Sequence, residues 1–459
     1  MQSLVMQPLA MMSQLLPQLG GLATTVLAFV VALSVIVAVH EYGHYIVGRW
    51  CGIRAEVFSL GFGPVLWSRI DRRGTRWQVA ALPFGGYVRF KGDGDAASAT
   101  AGGDFAALPE NERRQTMLGA PLWARTATVL AGPVFNFALS LVVFAGVMMA
   151  QGRVAEPLTV GALRPLPVTG IELREGDELV RIAGLPVPQG GESAGADFEA
   201  FLAALPRQEL LDYEVRRAGR VITVRGPQLM PPLVAQLSPK SAAYEAGMRP
   251  GDVILAVDGA PVVTFAELKE RVESSGGRAL RLEVWREGAR HELLLTPRRV
   301  DEPQPDGGFR TEWRIGIAGG LAFEPATERL GPLAALSDAG AQVWRVVVGS
   351  ISGLYHMITG AISSCNMSGP IGIAEVSGAM ASQGAGSFIW FIAVLSTAIG
   401  LLNLFPIPVL DGGHLVFYAY EALAGRPPGE RALRMLMAAG LVLVLGVMAF
   451  ALTNDLFCP

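Results

Sequence analysis

Apolar residues fall along this chain in two kinds of run, and the longer kind sets the architecture. Four stretches, 22–47, 122–150, 388–410 and 433–452, are predominantly apolar over about twenty residues or more. That is the length a helix needs to cross roughly 30 Å of hydrocarbon. They predict four transmembrane helices. A fifth stretch, 333–362, is interrupted by Ser337, Asp338, Gln342, Arg345, His356 and several glycines. Its Leu336, Val343, Val347, Ile351, Leu354 and Ile358 recur at helical spacing, which predicts an amphipathic helix lying along a membrane surface. The first twenty residues contain no Lys or Arg, and the first apolar run continues into His40 and Glu41. A cleaved leader carries a basic start, so this run is expected to be a retained span.

The shorter runs have strand character. Gly61-Phe62-Gly63 and Gly85-Gly86-Tyr87-Val88-Arg89-Phe90 bracket Trp77, Val79 and Leu82, which predicts a β-hairpin within 57–90. Further on, Gly176-Asp177-Glu178-Leu179 is followed by Ile182, Gly184, Pro186 and Val187. From Gly251, 75 residues after Gly176 (251 − 176), Gly251-Asp252-Val253-Ile254 is followed by Val257, Gly259, Pro261 and Val262. Each copy continues with a short helical stretch, 198–205 or 265–272, then a strand pair turning at Ala218-Gly219 or Glu287-Gly288. A repeat of this kind means two copies of one small β-rich module. The pattern of a Gly-Asp turn, a strand and a Gly-x-Pro-Val turn resembles the bacterial PDZ domain. Ser238-Pro239-Lys240-Ser241-Ala242-Ala243 and Ala246-Gly247-Met248 complete it in the second copy. The first copy departs, with Arg164-Pro165-Leu166-Pro167 in that place. The resemblance implies modules that accept an extended peptide by strand addition, or that act as a size filter.

The expected fold class is therefore a polytopic α-helical membrane protein with four transmembrane helices, a β-hairpin and two β-rich, PDZ-like domains between the second and third spans. The segments are 1–50, 51–121, 122–150, 151–230, 231–300, 301–387 (linker and interfacial helices), 388–421 and 433–452. Basic residues set the orientation. Arg49, Arg54, Arg69, Arg72, Arg73, Arg76, Arg89, Lys91, Arg113, Arg114 and Arg125 lie between or beside the first two spans, and Arg426, Arg431 and Arg434 between the last two. The positive-inside rule then places both short loops in the cytoplasm, and both termini and the long inserted segment outside.

Composition agrees with a membrane class: 51% of the residues are hydrophobic and only 17% charged, against about a quarter charged in soluble domains. A net charge of −3 and the lack of a Gly-Lys-Ser/Thr phosphate loop give no reason to expect nucleic acid. Cys51, Cys365 and Cys458 lie far apart without CxxC spacing, which argues against a disulfide framework or a cysteine metal site.

The sharpest chemistry is His40-Glu41-Tyr42-Gly43-His44. On a helix, residues i and i+4 share a face, so both imidazoles can reach one zinc, and Glu41 can take a proton from the attacking water. Ionisable groups at membrane depth are costly and read as functional. A catalytic zinc wants a third protein ligand. Asp411 is the best candidate, ending the third apolar run after Pro406 and Pro408, which must interrupt the helix. His40 lies 18 residues beyond Leu22, about 27 Å along a helix, toward the cytoplasmic leaflet. Asp411 reaches the same side only if 333–362 does not span.

The HExxH motif, Asn403-Leu404-Phe405-Pro406-Ile407-Pro408-Val409-Leu410-Asp411-Gly412 and the tandem modules together resemble the bacterial site-2 protease family, of the regulator of sigma-E protease (RseP) type, over nearly the whole chain. The resemblance implies Zn2+ held by His40, His44 and Asp411, Glu41 as catalytic base, and Asn403 close to the substrate. With it go Pro406 and Pro408 around the break. The resemblance also implies that Gly61, Gly63, Gly85 and Gly86 belong to a hairpin that dips into the membrane and offers a strand edge to the substrate; on pattern alone an ordinary cytoplasmic hairpin is the alternative. Gly132-Pro133 with Asn136, and Ser368-Gly369-Pro370, look like family signatures for packing or backbone shaping; His414 is expected to support the site rather than bind metal. The implied activity is an intramembrane zinc endopeptidase of the bacterial inner membrane. Its implied substrates are single-pass membrane proteins, such as an anti-sigma factor pre-trimmed by an upstream site-1 protease, or signal peptide remnants. Two other classes share parts of the pattern: a non-catalytic membrane scaffold with a structural metal, and another multi-span zinc protease with glutamate as third ligand. Asp411 and the tandem modules argue against the latter.

Overall fold

The computed structural model describes residues 6–92, 109–188, 194–304 and 308–458. Part of the loop between the first two spans, 93–108, lies outside them. The chain divides into two compact units, one of residues 1–147 with 332–459 and one of residues 148–331. Among the described residues, four helical stretches are long and apolar enough to cross a membrane: Gly21–Trp50, Leu122–Gln151, Ala385–Asn403 and Glu430–Phe457.

In the first unit, helix α1 (Met6–Trp50) ends at Gly52, whose φ of +83° suits only glycine, with the Ile53 amide donating to the Gly48 carbonyl as a left-handed cap requires. Strands β1 (Ala55–Ile70) and β2 (Arg76–Phe90) follow as an antiparallel pair. The Asp71 carboxylate closes their turn by accepting from the Arg73 and Thr75 amides at 2.8 and 3.0 Å. The pair is not a flat ribbon. Val57 pairs with both Arg89 and Arg76, and Leu60 with both Gly86 and Val79, so the strands fold back on themselves. Gly61 (φ +88°), Gly63 (φ +83°) and Gly85 (φ +121°) sit at the bends. The near half, from Ala55, is buried with Tyr45, Met117 and Val129, while Leu66, Trp67 and Ile70 of the far half are exposed. A single turn, α2 (Glu110–Arg113), precedes the second span α3 (Leu122–Gln151).

The second unit holds α4 (Ala194–Ala204), α5 (Ala242–Glu245) and α6 (Phe265–Ser274) among short strands. Two four-stranded sheets share one topology. One runs Leu185–Pro186, Glu178–Ile182, Leu210–Arg217, Arg220–Pro227, and the other Ala260–Pro261, Val253–Val257, Leu280–Arg286, Ala289–Leu295. Alternating residues bury one face of each, Leu211, Tyr213 and Val215 in the first and Leu280, Leu282 and Val284 in the second. Both hairpins turn on two residues of positive φ, Ala218-Gly219 and Glu287-Gly288, whose twist matches that of the strands. The repeated Gly-Asp step has a physical reason. Asp177 and Asp252, 1% and 0% exposed, each receive a bidentate guanidinium from the end of the hairpin strand, Arg217 at 2.7 and 2.6 Å and Arg286 at 2.7 Å twice. Each also accepts a backbone amide three residues upstream, from Arg174 and Arg249.

Residues that the sequence reading places in a linker after position 300 return to this unit. Ile317–Gly319 pairs with Val234–Leu237, and Phe323–Pro325 with Val160–Leu163. Phe323 is fully buried in the first core and Ile315 almost fully in the second.

Back in the first unit, α7 (Pro332–Ile358) buries only Ala335 and Ala339 and leaves Leu336, Trp344, Ile351 and Tyr355 exposed. Then come α8 (Pro370–Ser382), α9 (Ala385–Asn403), α10 (Asp411–Ala424) and α11 (Glu430–Phe457). The third apolar run is thus one helix followed by an unwound stretch, 404–410, as the prolines require, and α10 begins only at Asp411. One expectation is corrected: Cys365 and Cys458 form a disulfide across 93 residues of sequence, with Cα atoms 5.6 Å apart. Spacing along the chain gave no hint, because the pairing depends on where α11 ends. There Asn454 donates to the Ser364 carbonyl at 2.7 Å, and Asp455 accepts the Gly369 and Ile371 amides at the start of α8. This contact is also what the Ser368-Gly369-Pro370 signature serves.

Candidate metal centre and active site

Small residues bring α1 and α3 together over the HExxH segment. A β-carbon at Gly43 would meet the Ala131 carbonyl oxygen at 2.5 Å, and one at Gly132 would meet His44 Nε2 at 2.3 Å and His40 Cε1 at 2.8 Å. Gly132 therefore leaves the room that the two imidazoles occupy.

Asp411 arrives from the unwound stretch. It is the first residue of α10, and Gly412 and Gly413 let the loop fold over that first turn. A β-carbon at either would lie 2.2 Å from the Phe405 oxygen or 2.4 Å from the Ile407 oxygen. Gly440 allows α11 to press on Pro408, where a β-carbon would lie 2.0 Å from its carbonyl oxygen. Val409 holds a φ of +96°, an outlier for a β-branched residue. Strained backbone of this kind persists where surrounding packing fixes it. Arg125 of α3 adds a bidentate pair to Glu421 of α10 at 2.6 and 3.0 Å.

The outcome is a triangle of ligand atoms. His40 Nε2 lies 3.2 Å from His44 Nε2 and 3.2 Å from Asp411 Oδ2, and His44 Nε2 lies 3.6 Å from Asp411 Oδ2. Zinc binds nitrogen and carboxylate oxygen at about 2.0–2.2 Å with tetrahedral geometry, so its ligands stand about 3.3–3.5 Å apart. The three separations lie within about 0.1 Å of that range. Asp411 Oδ2 is buried without a hydrogen-bond partner despite its closeness to both imidazoles, as a lone pair reserved for a cation would be. His44 Nδ1 contacts the Thr128 carbonyl at 2.8 Å. A carbonyl only accepts, so Nδ1 carries a proton, and in the neutral ring that metal binding requires Nε2 keeps its lone pair. Among the described residues this is the one cluster with metal-ligand spacing. The donor set fits zinc.

A cavity of about 370 Å³ opens on the cluster. His40, Glu41, His44, Asn403, Asp411 and Gly86 all line it, as does His414, with Phe62, Tyr87 and Val88 from the β-hairpin. Gly86 stands against the proposed base, since a β-carbon there would lie 3.2 Å from Glu41 Cγ. Gly61, Gly63, Gly85, Pro406 and Pro408 do not line this cavity; they bend the backbone that surrounds it. Two contributors went unforeseen in the sequence. The Thr128 carbonyl orients His44 and the Tyr418 ring borders the cavity beneath Arg125, and neither carries a local motif.

The match to peptidase family M50 extends over residues 28–447, and the chain belongs to that family. It is similar to a protein of Rhizobium meliloti (strain 1021) whose name designates a zinc metalloprotease, 37% identical over 439 residues, covering 95% of this chain and 98% of that one. A similarly named protein of Agrobacterium fabrum is 34% identical over 449 residues, 97% of this chain and 99% of its own. The regulator of sigma-E protease RseP of Salmonella typhimurium is 33% identical over 454 residues, 93% of this chain and 97% of its own. The protein is accordingly a zinc metalloendopeptidase of the membrane.

Proposed function

We propose that this protein is an intramembrane endopeptidase that cuts the transmembrane segments of single-pass membrane proteins, with His40, His44 and Asp411 as zinc ligands and Glu41 as general base. The convergence of three ligand atoms at 3.2, 3.2 and 3.6 Å carries the reading, because the two imidazoles come from α1 and the carboxylate from the break before α10, far away in the sequence. Zinc, when bound, polarises the scissile carbonyl and acidifies water. Glu41, next to His40 and on the cavity wall, takes the water's proton and delivers it to the leaving amine. Asn403, at the last turn of α9 and also on the wall, is suited to hold a substrate carbonyl.

A transmembrane helix shields its own peptide bonds, so it must be opened before hydrolysis. The edge formed by Gly86, Tyr87 and Val88 lies on the cavity wall, which supports pairing with an extended substrate. The exposed Leu66, Trp67 and Ile70 support a hairpin tip immersed in lipid. In this reading Gly61, Gly63, Gly85, Pro406 and Pro408 shape the substrate groove. Delivery of Asp411 to the depth of the histidines requires α7 to lie along the membrane, in keeping with its exposed apolar face. The Cys365–Cys458 disulfide supports an outward C-terminus, since disulfides persist in oxidising compartments such as the periplasm. The orientation is then that of an inner-membrane protein with termini and both PDZ-like modules in the periplasm and the active site toward the cytoplasm. The modules screen substrates by size or by an exposed end. The similarity to a regulator of sigma-E protease favours a pre-trimmed anti-sigma factor, cut after an upstream site-1 protease in an envelope stress response, or signal peptide remnants.

The test is Glu41→Gln in the full-length protein with a model transmembrane substrate. Zinc content should stay at the wild-type level while cleavage is lost. Wild-type turnover by the variant would remove Glu41 as the base.

A further inference from the structure

Asn136 sits on α3 one turn past Gly132 and is fully buried. Its side-chain amide contacts His40 Nδ1 at 3.2 Å, the ring nitrogen opposite the one that faces His44 and Asp411. As placed, the amide nitrogen points at Nδ1 and the amide oxygen Oδ1 is buried without a partner. A neutral imidazole carries one N–H. If Nε2 offers its lone pair to zinc, the proton is on Nδ1, and an N–H would then face an amide N–H.

We infer that the Asn136 amide is turned over, with Oδ1 accepting the His40 Nδ1 proton, and that Asn136 is a positioning residue that fixes the tautomer and ring orientation of His40. The inference rests on the metal reading above. Oxygen and nitrogen of an amide are nearly isosteric and are assigned by their partners. Either orientation leaves one amide group unpaired, so the count of unpaired groups does not choose between them; the tautomer of His40 does. His44 supplies the precedent within the same site, because its Nδ1 already donates to the Thr128 carbonyl. Both imidazoles are then held alike, each with its outer N–H tied to an acceptor on α3, four residues apart for the ligands and eight for the acceptors.

Packing holds Asn136 in place for this task. Its backbone carbonyl accepts the hydroxyls of Ser140 at 3.0 Å and Ser396 at 2.9 Å, the latter from α9. Gly400 of α9 allows the close approach, as a β-carbon there would lie 3.1 Å from Asn136 Cβ. The helix that leads into the Asp411 break thereby also locks the residue that orients His40.

The test compares zinc affinity of the full-length protein in detergent, measured by chelator competition, for wild type, Asn136→Leu and Asn136→Asp. Loss of such an outer partner weakens metal binding about 10- to 100-fold, and Asn136→Leu should show that loss. Asn136→Asp presents only acceptors and should bind as tightly as wild type or more so. Thermal midpoints of the zinc-free proteins show whether each variant is folded. Wild-type affinity in a folded Asn136→Leu protein overturns the positioning role. Loss in Asn136→Asp as large as in Asn136→Leu overturns the acceptor assignment. A wild-type protein that fails to take up zinc sinks the metal reading itself and is thus a distinct result. Should the variants not fold, 15N-histidine spectra of zinc-loaded wild type decide, and His40 must show a protonated Nδ1. A bare Nδ1 overturns the inference.

Discussion

Replacing Gly132 by alanine adds one methyl group at the place the imidazoles need. In an ordinary helix interior the change would stabilise by up to about 1 kcal/mol. Here the new carbon would lie 2.3 Å from His44 Nε2, and relief to a normal contact of 3.4 Å requires a shift of 1.1 Å (3.4 − 2.3). A metal–ligand distance tolerates about 0.2 Å, so His44 cannot move that far and remain a ligand. Structural zinc sites are worth about 10–16 kcal/mol over four ligands, hence roughly 2.5–4 kcal/mol for one. The expected loss of zinc affinity is therefore roughly 10²- to 10³-fold. The assay is chelator competition on the purified full-length protein, with the thermal midpoint of the zinc-free form recorded in parallel. The zinc-free midpoint should hold or rise, because the crowding falls on side chains that can swing aside when no metal holds them. Stoichiometric zinc at wild-type affinity in Gly132→Ala would show that His44 is not held against α3 as described, and the metal geometry would fall with it.

Other perturbations probe the inserted unit. Arg286→Met should strand the buried Asp252 carboxylate and cost about 3–5 kcal/mol, whereas Asp252→Leu with Arg286→Met should cost far less. Hydrogen exchange of Val253–Val257 in the full-length protein measures both, and equal losses would deny the coupling. For Asp177, burial alone would raise the carboxyl pKa, but the Arg217 guanidinium and the Arg174 amide hold it below its ordinary value of 3.8. A lowered folded value gives stability that is present above the unfolded pKa and is lost as pH falls through the folded one. Protease resistance of this unit should therefore drop below about pH 4, and Asp177→Asn should lower resistance at neutral pH while flattening that drop. An unchanged acid profile in Asp177→Asn would refute the assignment.

Much of this was legible because the signals are local. The spans follow from runs of apolar residues, and the modules from a repeat. His40, Glu41 and His44 follow from a spacing that a helix converts directly into a shared face. Asp411 was readable because two prolines announce the break before it. What the chain hides is pairing at a distance. The service of the Thr128 carbonyl to His44 has no sequence signature, since every residue has a carbonyl. The Cys365–Cys458 bond depends on where α11 ends, and its 93-residue separation is uninformative. Gly61, Gly63 and Gly85 stand out in the sequence, but their work as bends in a hairpin folded upon itself appears only in the pairing of Val57 and Leu60 with two partners each.

The return of 315–325 through the inserted unit bears on how that unit can be dissected. A fragment ending at residue 300 would lack the Ile317–Gly319 strand and the Ile315 side chain of the second core, and any fragment confined to the first module would lack buried Phe323. The two modules are stitched by one thread. Excision of either alone leaves its returning strand unpaired and Phe323 or Ile315 without a core to fill, so a deletion phenotype would mix the loss of the module with misfolding. Clean dissection removes both modules together with the returning strands, or leaves the backbone whole and alters side chains at the surface.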